Sequence, residues 1–134
     1  MLNQVDTDME QSVKAAMDRG GIADITTIGR KSGIPRRVEI YFHQFDGSYY
    51  LTGRPGRKRD WEANITANRE FTLHLKRSVT ADVAVVGEPE SDEAERARVL
   101  RRALIESWGS DPDRVEASLH KWLEGAPFIR FRPA

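Results

Sequence analysis

Four short runs of this chain, at residues 38–43, 48–53, 71–76 and 79–85, carry a side-chain period of two. Val38, Ile40 and Phe42 alternate with Glu39, Tyr41 and His43; Phe71, Leu73 and Leu75 alternate with Thr72, His74 and Lys76. A strand turns successive side chains to opposite faces, so this pattern describes sheets with one face on a core and one in water. Such strands belong to antiparallel sheets or small barrels, because parallel strands are covered on both faces and read as continuous apolar runs. Asp46-Gly47 between the first two runs is a strong hairpin signal. Residues 22–28 read as a further strand and residues 128–132 as a closing one.

Helices flank these strands. Val13 and Met17 share a face with Met9 in a helix at 6–19, which Gly20-Gly21 ends. Residues 60–68 read as a short helix with Trp61 and Ile65 one turn apart. Ser91 is the expected cap of a helix at 92–107, with Ala97, Leu100, Leu104 and Trp108 as its buried stripe. Asp111-Pro112 opens a last helix lined by Val115, Leu119 and Trp122 and closed by Gly125. The expected class is α+β, mostly antiparallel, with about six strands. At 134 residues the chain is expected to form one domain, 1–134, with barrel core 22–86 and helical tail 91–124.

Several function classes are excluded. The chain has no cysteine, so thiol nucleophiles, Cys-ligated zinc and iron–sulfur clusters are out. No apolar run approaches the length that crosses a membrane. Asp6, Asp8 and Glu10 make the N-terminus unlike a signal peptide, and a cytoplasmic location is expected. The 21 cationic and 21 anionic residues balance, which excludes a globally basic nucleic-acid packer. That balance hides a segregation. Residues 29–77 hold eleven cationic and five anionic residues, a net of +6, while the segments on either side are each −3. Arg30, Lys31, Arg36 and Arg37 form one cationic group; Arg54, Arg57, Lys58 and Arg59 form another, each beside glycine and proline.

Hydrolytic and metal motifs are missing. The three histidines lack H-x-x-x-H or H-E-x-x-H spacing, and no metal site is expected. His43 and His74 lie on the polar faces of strands, where a solvated or sheet-pairing role is the common one. Ser32 sits in no G-x-S-x-G elbow, and neither a phosphate-binding P-loop nor a dinucleotide fingerprint is present. Anion capture remains. In GRKSG the glycines turn the backbone with its N–H groups exposed, Arg30 and Lys31 add charge, and Ser32 adds a hydroxyl. Alternation sends Arg36 and Arg37 to opposite faces, so one of them joins the site. Two readings stand: solvated loops, or one anion site built from both loops. Tyr41, Tyr49, Tyr50 and Trp61 lie near these loops in sequence, and a basic rim over aromatics fits a phosphorylated planar heterocycle or a single-stranded nucleic acid. Taken singly, Tyr49 and Trp61 read as core.

The ordered series TTIGRKSGIPRRVEIYF, a D-G hairpin, GRPGRKR and then DWEANITAN resembles the deazaflavin (F420)-dependent nitroreductase and quinone reductase family. The likeness is densest over residues 22–86. It implies a split β-barrel related to pyridoxamine-phosphate-oxidase-like flavin proteins, binding coenzyme F420, with FMN as the alternative. It implies that Arg30, Lys31, Ser32, Gly33 and Arg36 hold the phosphate and polyglutamate tail. Arg54 matches the basic residue after the hairpin, and Arg57 follows it in the same loop. Trp61 and Asn64 match the D-W-x-x-N element beside the cofactor, and Val38 starts the strand along the deazaflavin ring. The tail helix carries His120 and Trp122 where relatives carry tyrosines.

The expected function is hydride transfer from reduced deazaflavin to a small planar acceptor, quinone- or nitroaromatic-like. The cofactor carries that chemistry, so the missing triad is consistent with it. Tyr41 is the candidate for orienting or protonating the acceptor; a hydrogen-bonded barrel residue is its other reading. Two further classes stay open: a non-catalytic carrier of a flavin, deazaflavin or haem, and, last, a nucleic-acid module. A homodimer is a possible state.

Overall fold

The computed structural model describes residues 4–56 and 59–134. Helix α1 (Gln4–Arg19) leads into strands β1 (Gly21–Ile28), β2 (Pro35–Phe45) and β3 (Ser48–Thr52). Helix α2 (Asp60–Ala67) precedes β4 (Glu70–Leu75) and β5 (Ala81–Pro89). Helix α3 (Glu93–Arg102) runs into a π-helical turn at Ala103–Ser107, and helix α4 (Pro112–Gly125) precedes β6 (Phe128–Pro133). The strands form a barrel in the order β1-β2-β3-β6-β5-β4, and every neighbouring pair is antiparallel. The class is α+β, as the alternating strands require.

The hairpin at Asp46-Gly47 forms with both residues at positive φ, 54° and 82°. Those values suit a tight turn whose twist matches the flanking strands. Inward-facing Ala23, Ile25, Leu51, Leu73 and Ile129 are fully buried and fill the barrel. A second core lies outside it, where Phe45, Tyr50 and Phe128 pack under Leu100, Ala103 and Leu119. Helices α3 and α4 thus cover the outer face of β3 and β6, so both faces of β3 are buried.

Three local readings change. The α3 cap is Asp92, not Ser91, and it caps without a side-chain hydrogen bond. The regular helix stops at Arg102 rather than running to 107. The π-helical turn inserts extra residues per turn and rotates the stripe. Leu100 and Leu104 stay buried, but Trp108 leaves the core and is 37% exposed. His43 is not solvated: it is 2% exposed, beneath the helical tail.

Strand β2 decides where a ligand can enter. Residues 35–42 pair with β1, but β3 pairs only with residues 42–45. Over residues 35–41 one edge of β2 faces no strand, and the barrel is split there.

Candidate active site

The first basic loop is a closed turn. Gly33 N–H donates to Gly29 O at 2.8 Å, Gly29 N–H to Ile34 O at 3.0 Å, and Ile34 N–H to Ser32 Oγ at 3.1 Å. Gly33 takes φ 71°, which a side chain disfavours. Asn64 ties this turn to the body. Its Oδ1 accepts from both the backbone N–H and the guanidinium of Arg30, each at 3.1 Å, and its Nδ2 donates to Thr27 Oγ1 at 3.1 Å. Arg30 also lies 3.6 Å from Asp60.

A cavity of about 220 Å³ sits on this turn, lined by Arg30, Lys31, Ser32, Arg36 and Asn64 among others. A larger one, about 950 Å³, opens at the split in the barrel. Residues 36 and 38–41 of β2 form one wall; Thr52, Gly53 and Arg54 with residues 59–61 and 64 form the other. Leu104, Trp108, Ser110 and Trp122 cover it. Arg36, Asp60 and Asn64 line both cavities, so the anion turn and the larger space meet at these three side chains. Lys31, Arg36 and Arg54 make no ion pair among the described residues, whereas Arg37 points to the other face and holds Asp24 at 3.0 Å.

The two basic loops therefore converge. Tyr41, Arg36, Val38, Arg54, Trp61 and Asn64 line the larger cavity. Gly33 shapes the turn without lining either space. Arg57, with Lys58, lies outside the described residues. Trp108 and Trp122, which helical periodicity assigns to core stripes, line the cavity as well. The only available signal was Gly109 directly after Trp108, a helix stop that leaves the indole at the helix end.

Neither buried histidine opens a hydrolytic route. His74 bonds Thr26 Oγ1 and Asp82 Oδ1, each at 2.6 Å, across three strands. That row resembles a triad but lines neither cavity of the site, so it serves the sheet. Among the described residues no group of three His, Asp or Glu is placed to hold a metal.

His43 bonds Ser107 Oγ through Nδ1 at 3.0 Å, and its Nε2 has no partner among the described residues. Burial pushes its pKa down from 6.5 to about 4. The unfolded chain therefore binds a proton near pH 6.5 that the folded chain refuses until about 4. The contribution is fully present above pH 6.5 and is lost as pH falls toward 4, by about 3 kcal/mol in total. Urea unfolding of the wild type is expected to weaken across this window. His43→Phe is expected to flatten the slope; an unchanged slope would place the acid sensitivity elsewhere.

The arrangement suits an elongated ligand with a flat body and an anionic end. Val38, 40% exposed, gives the cavity an apolar surface, and Tyr41, Trp61, Trp108 and Trp122 add aromatic ones. Arg36 stands where the two spaces meet, with Lys31 on the smaller one and Arg54 on the larger.

A sequence model of the F420H(2)-dependent quinone reductase family matches residues 3–117. No curated protein matches the chain. Among solved structures, a conserved hypothetical protein from Mycobacterium tuberculosis superposes with TM-score 0.67 at 16% identity, covering 99% of this chain and 81% of that one. The haem storage protein HutZ from Vibrio cholerae gives 0.64 at 12%, covering 93% and 89%. An F420-H2 dependent reductase gives 0.54 at 19%, covering 83% and 92%. At such identities these structures speak for the fold. The family match speaks for the chemistry, and the cavity fits a deazaflavin with a charged tail. The chain belongs to the F420H(2)-dependent quinone reductase family, and is an oxidoreductase that uses coenzyme F420 on a small quinone-like acceptor.

Proposed function

We propose that the larger cavity holds the deazaflavin ring along the open edge of β2 and that the GRKSG turn holds the anionic tail. The observation that carries this reading is the lining shared by the two spaces, in which Arg36 stands with Asn64 and Asp60. Lys31 and Arg36 supply the uncommitted charge, and Ser32 and Gly33 close the turn that presents it. Arg30 acts while bound to Asn64, so Asn64 positions the turn instead of spending its amide on the ligand. Arg54 forms the opposite cationic wall, with Arg57 following it in the loop. Val38 and Trp61 offer apolar surface to the ring.

When bound, the coenzyme supplies a hydride. The chain's own groups bind, orient and exclude water. Trp108 and Trp122 cover the cavity from the helical side. Tyr41 lines the same space and holds a proton at its hydroxyl for the acceptor oxygen, which gains negative charge on reduction. We also propose a single cytoplasmic domain that works as a homodimer, a state that exposed Ile34 and Val38 beside the open β2 edge favour and that sedimentation velocity reads.

Titration with oxidised coenzyme F420, followed by fluorescence with FMN in parallel, tests the assignment. The expected result is binding at least about tenfold tighter for F420, one extra charged contact's worth. Tighter FMN binding, or none of either, would overturn it.

A further inference from the structure

Trp108 lines the larger cavity from the helical side, with the Trp122 ring 6.1 Å away. The π-helical turn before it is closed by Trp108 N–H to Ala103 O at 3.1 Å and Ser110 N–H to Leu104 O at 2.8 Å. Those bonds fix the backbone but leave the indole free to rotate. Three rings pack against it, Tyr41, Trp122 and His43, and His43 is the nearest. Its imidazole meets the indole edge-on, 5.0 Å between centroids at 83°, and lies nearly parallel to Phe45 at 5.8 Å. Its Nδ1 bonds Ser107, the residue directly before Trp108, at 3.0 Å. One fully buried side chain on β2 thus touches the indole and pins its neighbour. A phenylalanine would fill the same space without an orphan nitrogen. The bond to Ser107 is what the imidazole adds, and an unpaired Nε2 is what it costs.

We propose that Trp108 sets acceptor specificity by stacking, and that His43, through Ser107 and through ring contact, is the residue that positions it. The proposal rests on the reading above that the acceptor enters this cavity. An indole face favours an acceptor in proportion to the flat area it offers, so wide fused rings gain more than single rings. Tyr41, 5.9 Å from the indole, completes the corner in which such a ring lies.

The test uses Trp108→Ala, Trp108→Phe, Ser107→Ala and His43→Phe in the full chain. With F420H2 as donor, Trp108→Ala is expected to raise KM for a two-ring naphthoquinone by about tenfold, with a much smaller rise for a one-ring benzoquinone. Trp108→Phe is expected to recover most of that difference. Ser107→Ala and His43→Phe are expected to move KM the same way by less, with the effect on KM rather than kcat. The Trp108 indole N–H resonance, identified by its loss in Trp108→Phe, should shift or broaden in Ser107→Ala. This NMR arm needs no coenzyme, so it tests the positioning even if F420 binding fails and the reading above falls with it. An unchanged KM ratio between the two quinones in Trp108→Ala would overturn the specificity role. An unmoved indole resonance in Ser107→Ala would overturn the positioning role.

Discussion

The double variant Lys31→Ala/Arg36→Ala is expected to bind coenzyme F420 about 100-fold more weakly than the wild type while melting at the same temperature. Both side chains are exposed and make no ion pair among the described residues, so neither contributes to the fold through a carboxylate. Their removal should leave stability within about 0.5 kcal/mol. A hydrogen bond to a charged group contributes about 1.5–3 kcal/mol, and water screening at this open site favours the lower end. Two such contacts give the expected loss. Salt supplies the cross-check: raising ionic strength should weaken wild-type binding more than that of the variant, which has lost the screened contacts. Equal affinity in the two proteins would mean that the tail lies elsewhere.

Asn64→Leu is expected to have the largest effect on the fold. Asn64 is 2% exposed and joins three segments: α2, the end of β1 and the anion turn. Leucine fills a similar volume but leaves Thr27 Oγ1, itself 2% exposed, and the Arg30 N–H without their partner. Thr27 Oγ1 is a buried group, and leaving it unpaired costs about 1–3 kcal/mol, whereas the exposed Arg30 can turn to water, so the loss is about 2 kcal/mol, or roughly 7 °C in Tm. F420 affinity should fall as well, because the turn loses its tie to α2. Asn64→Asp keeps the acceptor for Arg30 and loses only the donor to Thr27, so it should lie between the two. Differential scanning calorimetry reads the order wild type, Asp, Leu; a leucine variant melting with the wild type would contradict the role given to Asn64.

The strands were legible because each turns one face to the barrel interior, and a period of two records that directly. Ile25, Leu51 and Leu73 are core for this reason. Their outer faces were less legible. Tyr50 and His43 look like solvent-facing residues of an alternating strand, yet α3, the π-helical turn and α4 bury them. Periodicity says that two faces differ, not what covers the second. Trp108 escaped for a related reason: a helical stripe assumes a constant turn, and five residues of π-helix rotate it away. The basic loops could be seen in sequence, as could the divergence of Arg36 from Arg37. Their convergence was not visible, because the cavity is assembled from β2, the end of β3, α2 and the helical tail. Asn64 carried no signal of its own in pattern or charge. Only the resemblance singled it out, and its three hydrogen bonds explain how it serves the turn.

Binding alone would also suit a carrier, so turnover is the decisive observation. Protein loaded with F420H2 under anaerobic conditions, mixed rapidly with a naphthoquinone, should return the fluorescence of oxidised F420. One quinol should form per coenzyme, far faster than in the protein-free mixture. Coenzyme that stays bound and reduced, or that reoxidises only at the protein-free rate, would contradict the reductase account.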